Sequence, residues 1–350
     1  MITTCVSIAA LFLLIMHNHV VDRHDFKVNG IYYRQVSEYE NTVFVTYKGS
    51  TPDLYEHEYQ NDIVIPKSVR YNGKDYIVAG IDQYAFKNCN KITSITIPGS
   101  IWYIGLDAFG GCTNLSEVHI SDLAAWCSLA IESVLDCTGS TPLQYADKLY
   151  LNGEILTDLV IPQEVTEISS FVFQDCDCLR SVILHEAVTS ICKGAFYGCL
   201  NLKSVDMSPN ISYIGRDAFT GTAWYDNMSD GVVYIGKLLY NFKGEVPYNT
   251  HIIVKEGTEA ICESAFDCCI GLSSITLPSS LMMIHDCAFN SCENLVSIYS
   301  KAIDPPIINR YYNDCQQKSE VVLYVPIGSK EAYQHDSFMD YDLIVEREFS

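Results

Sequence analysis

An aromatic residue returns at fixed intervals along this chain. It stands at Phe86, Phe109, Phe173, Phe196, Phe219, Phe266, Phe289 and Tyr312, and five of the gaps between neighbours are 23 residues. Isoleucine lies five residues before each: Ile81, Ile104, Ile168, Ile191, Ile214, Ile261, Ile284 and Ile307. Cysteine lies three residues after it at Cys89, Cys112, Cys176, Cys199, Cys269, Cys292 and Cys315, with Thr222 as the exception. A period of this length leaves few architectures open, because each unit is too short to bury its apolar face alone and must use its neighbours to do so.

The rest of the unit says how the neighbours meet. Six residues after the aromatic comes leucine, as at Leu115, Leu179, Leu202, Leu272 and Leu295. Paired apolar positions follow, spaced by two: Ile95/Ile97, Val118/Ile120, Val182/Leu184, Val205/Met207, Ile275/Leu277 and Val321/Leu323. Spacing by two puts both side chains on one side of a short strand. The pattern L-x-x-[IV]-x-[IL] is the strand signature of leucine-rich repeats, whose period is about 20–29 residues. The expected fold is an α+β, mostly β, leucine-rich-repeat solenoid with short parallel strands, a β-rich N-terminal cap and a short helix/strand cap at the C-terminus.

Two stretches break the period. Residues 121–160 carry Trp126, Cys127, Cys137 and an Asn152-Gly153 hairpin signal between apolar runs. Residues 222–254 contain a second hairpin turning near Gly236. Both read as degenerate or elaborated repeats projecting from the stack. Residues 22–80 are aperiodic and strand-rich, with hairpin turns at Asn29-Gly30 and Asn72-Gly73, and read as the cap that covers the first repeat. The solenoid is then 81–325, and 326–350 is the other cap, with Ser329 standing as N-cap of a short helix and a last strand near Leu343–Val345.

Residues 1–21 form a separate segment. The apolar run from Val6 to Met16 has the length of a signal-peptide core and is too short to span a bilayer as a helix. No Lys or Arg precedes it and no clear small-residue cleavage site follows. Export is the expectation; a buried N-terminal segment is the alternative. Composition narrows the partners. Asp and Glu total 43 against 22 Lys and Arg, and a net charge of −21 repels nucleic acid and anionic lipid.

Fifteen cysteines invite thiol or metal chemistry. Zinc needs ligands that converge on a point. A cysteine column that advances one repeat at a time does not converge, so the expectation is small buried residues whose S–H groups bond turn carbonyls. Cys176/Cys178 and Cys268/Cys269 are close pairs with no second pair at zinc spacing nearby. Cys127 and Cys137 are the first candidates for a bridge. His119, His185, His285 and Asp286 are read as solvated, and no P-loop, G-x-G-x-x-G, H-E-x-x-H or G-x-S-x-G motif occurs. No cofactor or metal is expected. An enzyme would require titratable groups converging in a deep pocket.

Alternation along the strands points two columns outward. The first is mostly small: Ser94, Glu117, Ser181, Ser204, Ser274, Ser297 and Glu320. The second varies: Thr96, His119, Ile183, Asp206, Thr276, Tyr299 and Val322. A varied column on a regular scaffold is where a solenoid holds specificity. Thr96, His119, Ile183, Asp206, Thr276 and Tyr299 are therefore the candidate binding residues, with an ordinary solvated face as the alternative.

The motif I-x-x-x-A-F-x-x-C-x-x-L-x-x-[IV]-x-[IL]-P stands here as Ile81-Asp-Gln-Tyr-Ala-Phe-Lys-Asn-Cys-Asn-Lys-Ile-Thr-Ser-Ile-Thr-Ile-Pro98. It resembles the BspA-like, or Treponema-type, leucine-rich-repeat family of bacterial surface proteins, and the ending Leu323-Tyr-Val-Pro-Ile-Gly-Ser-Lys-Glu-Ala-Tyr is similar to members from Bacteroidetes. The likeness spans residues 25–345. It implies an exported, surface or secreted protein without catalytic residues, and an adhesin that takes a protein of host matrix or bacterial surface as partner. A glycan-binding role is the alternative, with 24 Tyr and with Trp102, Trp126 and Trp224 available to stack on sugar rings.

Overall fold

The computed structural model describes residues 24–37, 41–48, 58–134, 138–308, 321–335 and 343–349. The segment read as an export signal lies outside them. The chain is a β-solenoid of 23-residue repeats with parallel strands and little helix. It divides into two compact units: Met1–Val188 with Cys192–Met207 and Phe219–Asp226, and Thr189–Ile191 with Ser208–Ala218 and Asn227–Ser350.

In the first unit the strands Gln60–Val64, Lys91–Ile97, Glu117–Ile120 and Lys148–Leu151 form a parallel ladder, with Ile63, Ile95, Val118 and Leu149 in register. The ladder thus reaches back into the stretch assigned to the N-terminal cap. Asp158–Val160, Ser181–Ile183 and Ser204–Asp206 make a second parallel ladder. The interruption at 121–160 supplies rungs of its own: Ala130–Ile131 pairs with Tyr103–Ile104, and Lys148–Leu151 with Glu117–Ile120. Its short helix Leu123–Cys127 is capped by Asp122, whose carboxylate accepts from Ala125 N–H at 3.0 Å. The strands Phe26–Val28, Ile31–Ser37 and Thr42–Thr46 form an antiparallel meander, and Thr42–Thr46 joins Lys74–Ile81 in parallel. Half-buried Arg34 holds Asp82 through two hydrogen bonds of 2.6 and 2.8 Å.

In the second unit Thr250–Ile253, Leu272–Leu277, Ser297–Ser300, Val322–Pro326 and Leu343–Arg347 form one parallel ladder. The hairpin Gly231–Ile235/Leu238–Lys243 leads another through Ala260–Ile261, Met283–Ile284 and Ile307–Ile308. All four expected hairpins form, at Asn29-Gly30, Asn72-Gly73, Asn152-Gly153 and Gly236. Asn and Gly there take φ of 48–53° and 57–89°, the left-handed conformation such turns need.

The inward column is buried as expected: Ile104, Phe109, Cys112, Leu115, Val118 and Ile120 are all within the core. Phenylalanines stack rung on rung, Phe173 on Phe196 at 5.3 Å and Phe196 on Phe219 at 5.5 Å. Backbone bonds join the rungs at the same place, for example Phe173 N–H to Ala195 O at 3.0 Å and Phe266 N–H to Ala288 O at 2.8 Å. Val205 and Met207 are exceptions and are only half-buried, because Ser204–Asp206 is the edge strand of its ladder.

Each repeat also contains a device that the apolar pattern does not reveal. The residue two after the aromatic has positive φ in every described repeat: Asn88, Gly111, Asp175, Gly198, Gly221, Cys268 and Ser291. So does the residue two before it: Tyr84, Asp107, Phe171, Gly194, Asp217, Ser264 and Cys287. A left-handed residue on each side of the aromatic stops that segment from winding into a helix, because a right-handed helix tolerates neither. The segment is instead a run of turns that returns the chain to the next strand within one repeat.

The last repeat corrects the sequence register. Ile308, and not Ile307, pairs with Ile284, and Ile307 is exposed. Val321 and Leu323 are inward and buried as expected, joined by Val325, but Leu323 pairs with Ile298, so Tyr324 takes the place beside Tyr299 and Val322 falls in the row of Ser297. The slip of one residue at Ile307/Ile308 exchanges the faces of that strand, whereas the 25-residue separation of Ile298 and Leu323 is a slip of two, which keeps the faces and moves each residue along its strand. Ser329 is corrected as well: its buried hydroxyl makes no hydrogen bond. The carboxylate of Glu346 instead accepts from the N–H groups of Gly328 and Lys330, at 2.9 and 3.1 Å, before the helix Lys330–His335.

Candidate functional site

Parallel registration sets the outward residues of successive rungs side by side. In the first unit this gives a row of Val64, Thr96, His119 and Tyr150. The His119 and Tyr150 rings stack at 4.6 Å with their planes 12° apart. Glu117, in the other outward column, ties them together: its carboxylate is 3.3 Å from His119 Nε2 and accepts from Tyr150 Oη at 3.3 Å, with Lys148 Nζ at 3.8 Å. At the end of that column Asp62 Oδ1 accepts from Thr93 Oγ1 and Ser94 Oγ at 2.9 and 2.8 Å, and these bonds hold its carboxyl below the usual range.

Ile183 and Asp206 are brought together on the second ladder, beside exposed Val160. They belong to a different sheet from Thr96 and His119. There Ser181 Oγ donates to Asp158 Oδ1 at 2.5 Å.

In the second unit the row is Ile253, Thr276, Tyr299, Tyr324 and Val345. Tyr299 and Tyr324 stack at 4.7 Å, 10° from parallel. The Arg347 guanidinium lies 5.5 Å from one ring centre and 5.9 Å from the other. His251 completes the group. Its Nδ1 is 2.5 Å from Ser274 Oγ, its Nε2 3.1 Å from Thr276 Oγ1, and its ring is 5.9 Å from that of Tyr299.

Sequence reasoning therefore found Thr96, His119, Ile183, Asp206, Thr276 and Tyr299 on outward strand positions, and missed Tyr150, His251, Tyr324 and Arg347. The missed residues sit on rungs that lack the Ala-Phe marker or slip register. The outward alternation of Lys148-Leu-Tyr-Leu151 was the available signal for Tyr150.

Among the described column cysteines, Cys89, Cys112, Cys176, Cys199, Cys269 and Cys292 are buried free thiols; Cys315 lies outside the described residues. Three of them bond carbonyls of the preceding rung: Cys112 Sγ donates to Phe86 O at 3.1 Å, Cys199 Sγ to Phe173 O at 3.0 Å and Cys292 Sγ to Phe266 O at 3.0 Å. Burial raises the pKa of Cys112, Cys199, Cys269 and Cys292, that of the last two to about 12. Thr222 breaks the column for a local reason. Its hydroxyl donates to Phe219 O at 2.8 Å and accepts from Tyr225 N–H at 3.1 Å, starting the short helix Ala223–Asp226. Cys127 is a buried free thiol and bridges nothing, while Cys137 lies outside the described residues. Cys287 is disulfide-bonded, which the sequence reading did not foresee.

His285 is not the solvated residue expected. It is buried against the edge of Tyr213 at 5.0 Å, neither ring nitrogen has a partner, and burial lowers its pKa to about 4. Asp286 is buried too. His185 is half-buried and committed to the backbone: its Nδ1 accepts from Ala187 N–H at 3.2 Å, which leaves Nε2–H to donate to Pro162 O at 2.9 Å. Trp126 is 2% exposed, and its Nε1–H donates to Val172 O at 2.9 Å, so it cannot stack on a sugar. Trp102 and Trp224 lie edge-on to Phe44 and Phe219.

Among the described residues no three His, Cys, Asp or Glu side chains are grouped to hold a metal ion, and no helix is long and apolar enough to cross a membrane. A cleft of about 390 Å³ in the first unit is lined by Ile155, Thr157, Asp177, Cys178, Arg180, Asn201 and Lys203.

The chain is similar to several bacterial structures. A leucine-rich repeat protein from Bacteroides ovatus shares 19% identity over 92% of this chain and 100% of its own, with a TM-score of 0.33. A leucine rich cell surface protein from Faecalibacterium prausnitzii shares 19% over 93% and 95%, also with a TM-score of 0.33. The pneumococcal vaccine antigen PcpA shares 17% over 92% and 98%, with a TM-score of 0.32. Among curated proteins none matches with significance. The decisive comparison is with the repeat itself. The model of the BspA type leucine rich repeat region matches in six copies over residues 56–128, 145–241 and 235–331. This chain belongs to the BspA type leucine-rich-repeat family.

Proposed function

We propose that this protein is an exported, cell-surface or extracellular binding protein that adheres to a protein ligand, of host or bacterial origin, through the outward strand face. Family membership supports a non-enzymatic binding or surface role. The observation that carries the finer reading is the Tyr299–Tyr324 pair under Arg347, flanked by His251 and Thr276. Tyrosine and arginine are the residues that most often dominate protein–protein binding energy. Here each is fixed by a neighbour in the ladder, so less side-chain freedom is lost on binding. Thr96 and His119, and on a separate sheet Ile183 and Asp206, are the outward candidates of the first unit.

The test is retention of matrix and bacterial-surface proteins on immobilised protein, repeated with Tyr299→Ala and Arg347→Ala. Loss of one hot-spot residue should weaken a captured partner by about 30-fold, corresponding to about 2 kcal/mol. Unchanged retention by both folded variants would remove the face from the binding site. A glycan role has less support, since Trp126 is buried; a clean hit on a glycan array would reverse that order.

A further inference from the structure

Cys176 departs from the other thiols of its column. At Cys112, Cys199 and Cys292 the sulfur donates to a phenylalanine carbonyl 26 residues earlier. Cys176 is the first column residue after the interruption at 121–160, and the residue 26 before it is Tyr150, which stands on an outward strand position. Its sulfur turns instead to Cys178, with the two Sγ atoms 3.5 Å apart. Cys176 is buried, while Cys178 is partly exposed and lines the cleft of about 390 Å³. The same cleft presents Arg180 and Lys203. Its one carboxylate, Asp177, accepts from Leu200 N–H at 3.1 Å.

We propose that Cys176 and Cys178 form a redox-active dithiol that exchanges with the disulfide of a small carboxylate-bearing thiol bound in this cleft. The sulfurs need to approach by only about 1.5 Å to reach bonding distance. Leu149 N–H points at Cys178 Sγ at 3.4 Å and supports negative charge there, and the thiol form of Cys178 donates to Leu156 O at 3.4 Å. Accepting a hydrogen bond from Cys176 pulls the Cys178 thiol down to about 7, against the opposing effect of burial, while Cys176 is pushed well up. An attacking thiol is most effective when its pKa lies near ambient pH. Arg180 and Lys203 supply the positive charge that a carboxylate-bearing disulfide needs.

The exchange balances in two steps. The Cys178 thiolate attacks one sulfur of the small disulfide. The S–S bond breaks, one small thiolate leaves and takes a proton from water, and Cys178 holds a mixed disulfide. Cys176 then gives its proton to water, and its sulfur attacks Cys178 Sγ. The second small thiolate leaves and is protonated. Two protein thiols are oxidised to one disulfide, and one small disulfide is reduced to two thiols.

The experiment treats the fully reduced whole chain with glutathione disulfide near neutral pH and maps products by mass spectrometry over time. Cys178 should react at least about tenfold faster than Cys268, an exposed thiol that desolvation and the Asp267 carboxylate hold above its ordinary pKa. The product should be the Cys176–Cys178 disulfide. Cys176→Ala should stop the reaction at the glutathione adduct on Cys178. Cys178→Ala, with Cys178 only partly buried, keeps the core intact and should abolish the fast phase if Cys176→Ala fails to fold. Arg180→Gln with Lys203→Gln should slow glutathione disulfide and leave cationic cystamine no slower. A Cys178 no faster than Cys268, or a fast phase that survives Cys178→Ala, would overturn the dithiol. Equal slowing of both disulfides, or of neither, would overturn the carboxylate-bearing partner. Neither result bears on the strand face, which lies on other residues.

Discussion

The thiol of Cys199 donates to the carbonyl of Phe173 at 3.0 Å, one rung back in the first unit. Phe173 O also accepts from Cys176 N–H at 3.1 Å within its own turn. A sulfur so placed is a structural donor, and its burial holds the thiol well above its ordinary pKa. Cys89, Cys112, Cys199, Cys269 and Cys292 should resist alkylation in the native protein and react quickly once it is denatured. Differential alkylation with peptide mapping checks this. Rapid native labelling of any of the five would contradict a structural role at that rung.

Phe196 lies between Phe173 and Phe219, with ring centres 5.3 and 5.5 Å away. Phe196→Ala removes both contacts and leaves a cavity that the rigid ladder cannot close. The expected loss is about 3–5 kcal/mol, read from the shift in a denaturant or thermal midpoint. A near-neutral change would mean that this ring does not hold the stack.

The left-handed slots carry a paired prediction with opposite signs. Cys268 occupies such a slot at φ 57° and is exposed, so Cys268→Gly relieves backbone strain and should stabilise by about 0.5–1 kcal/mol. Gly198 occupies the equivalent slot at φ 72°, and a Cβ there would collide with the Asp175 carboxylate. Gly198→Ala should destabilise by more than 1 kcal/mol, roughly. Melting curves of the two variants decide the matter, and equal shifts would show that backbone conformation is not what selects the residue.

His285 makes stability depend on pH. Its folded pKa is about 4, below its ordinary value of 6.5, so it stays neutral in the fold while the unfolded chain takes up a proton. Between those values the unfolded state binds more protons, and stability falls as pH drops from about 6.5 to about 4. The loss attributable to this residue is about 2–3 kcal/mol. His285→Gln should flatten the dependence of the thermal midpoint across that window, and parallel wild-type and variant curves would refute the assignment.

The solenoid was legible because its period is carried by large buried side chains, and burial leaves little choice at Ile104, Phe109 or Val118. The hairpins were legible for a different reason: Asn-Gly satisfies a left-handed requirement directly. What was missed depends on register. Between Ile298 and Leu323 two extra residues enter, so counting from Tyr312 placed Val322 where Tyr324 stands. The left-handed slots were hidden because Asn, Gly, Asp, Cys and Ser all fill the position after the aromatic, and no one residue type marks it. His285 was misread because a single polar residue carries no periodicity, and only packing against Tyr213 shows it to be buried. The outward aromatic pairs needed the register to bring together rungs that sequence treats as separate.

The cysteine column makes folding a race. In the native chain each described column thiol is sealed away; in the nascent chain every one is open to oxidation, and close pairs such as Cys268/Cys269 offer many wrong partners. Material refolded under oxidising conditions should therefore scatter into cross-linked isomers that cannot stack, and material allowed to stack first should keep its column thiols, Cys176 excepted, when oxidant is added afterwards. The ladder acts as a chemical memory of the order in which the two events took place.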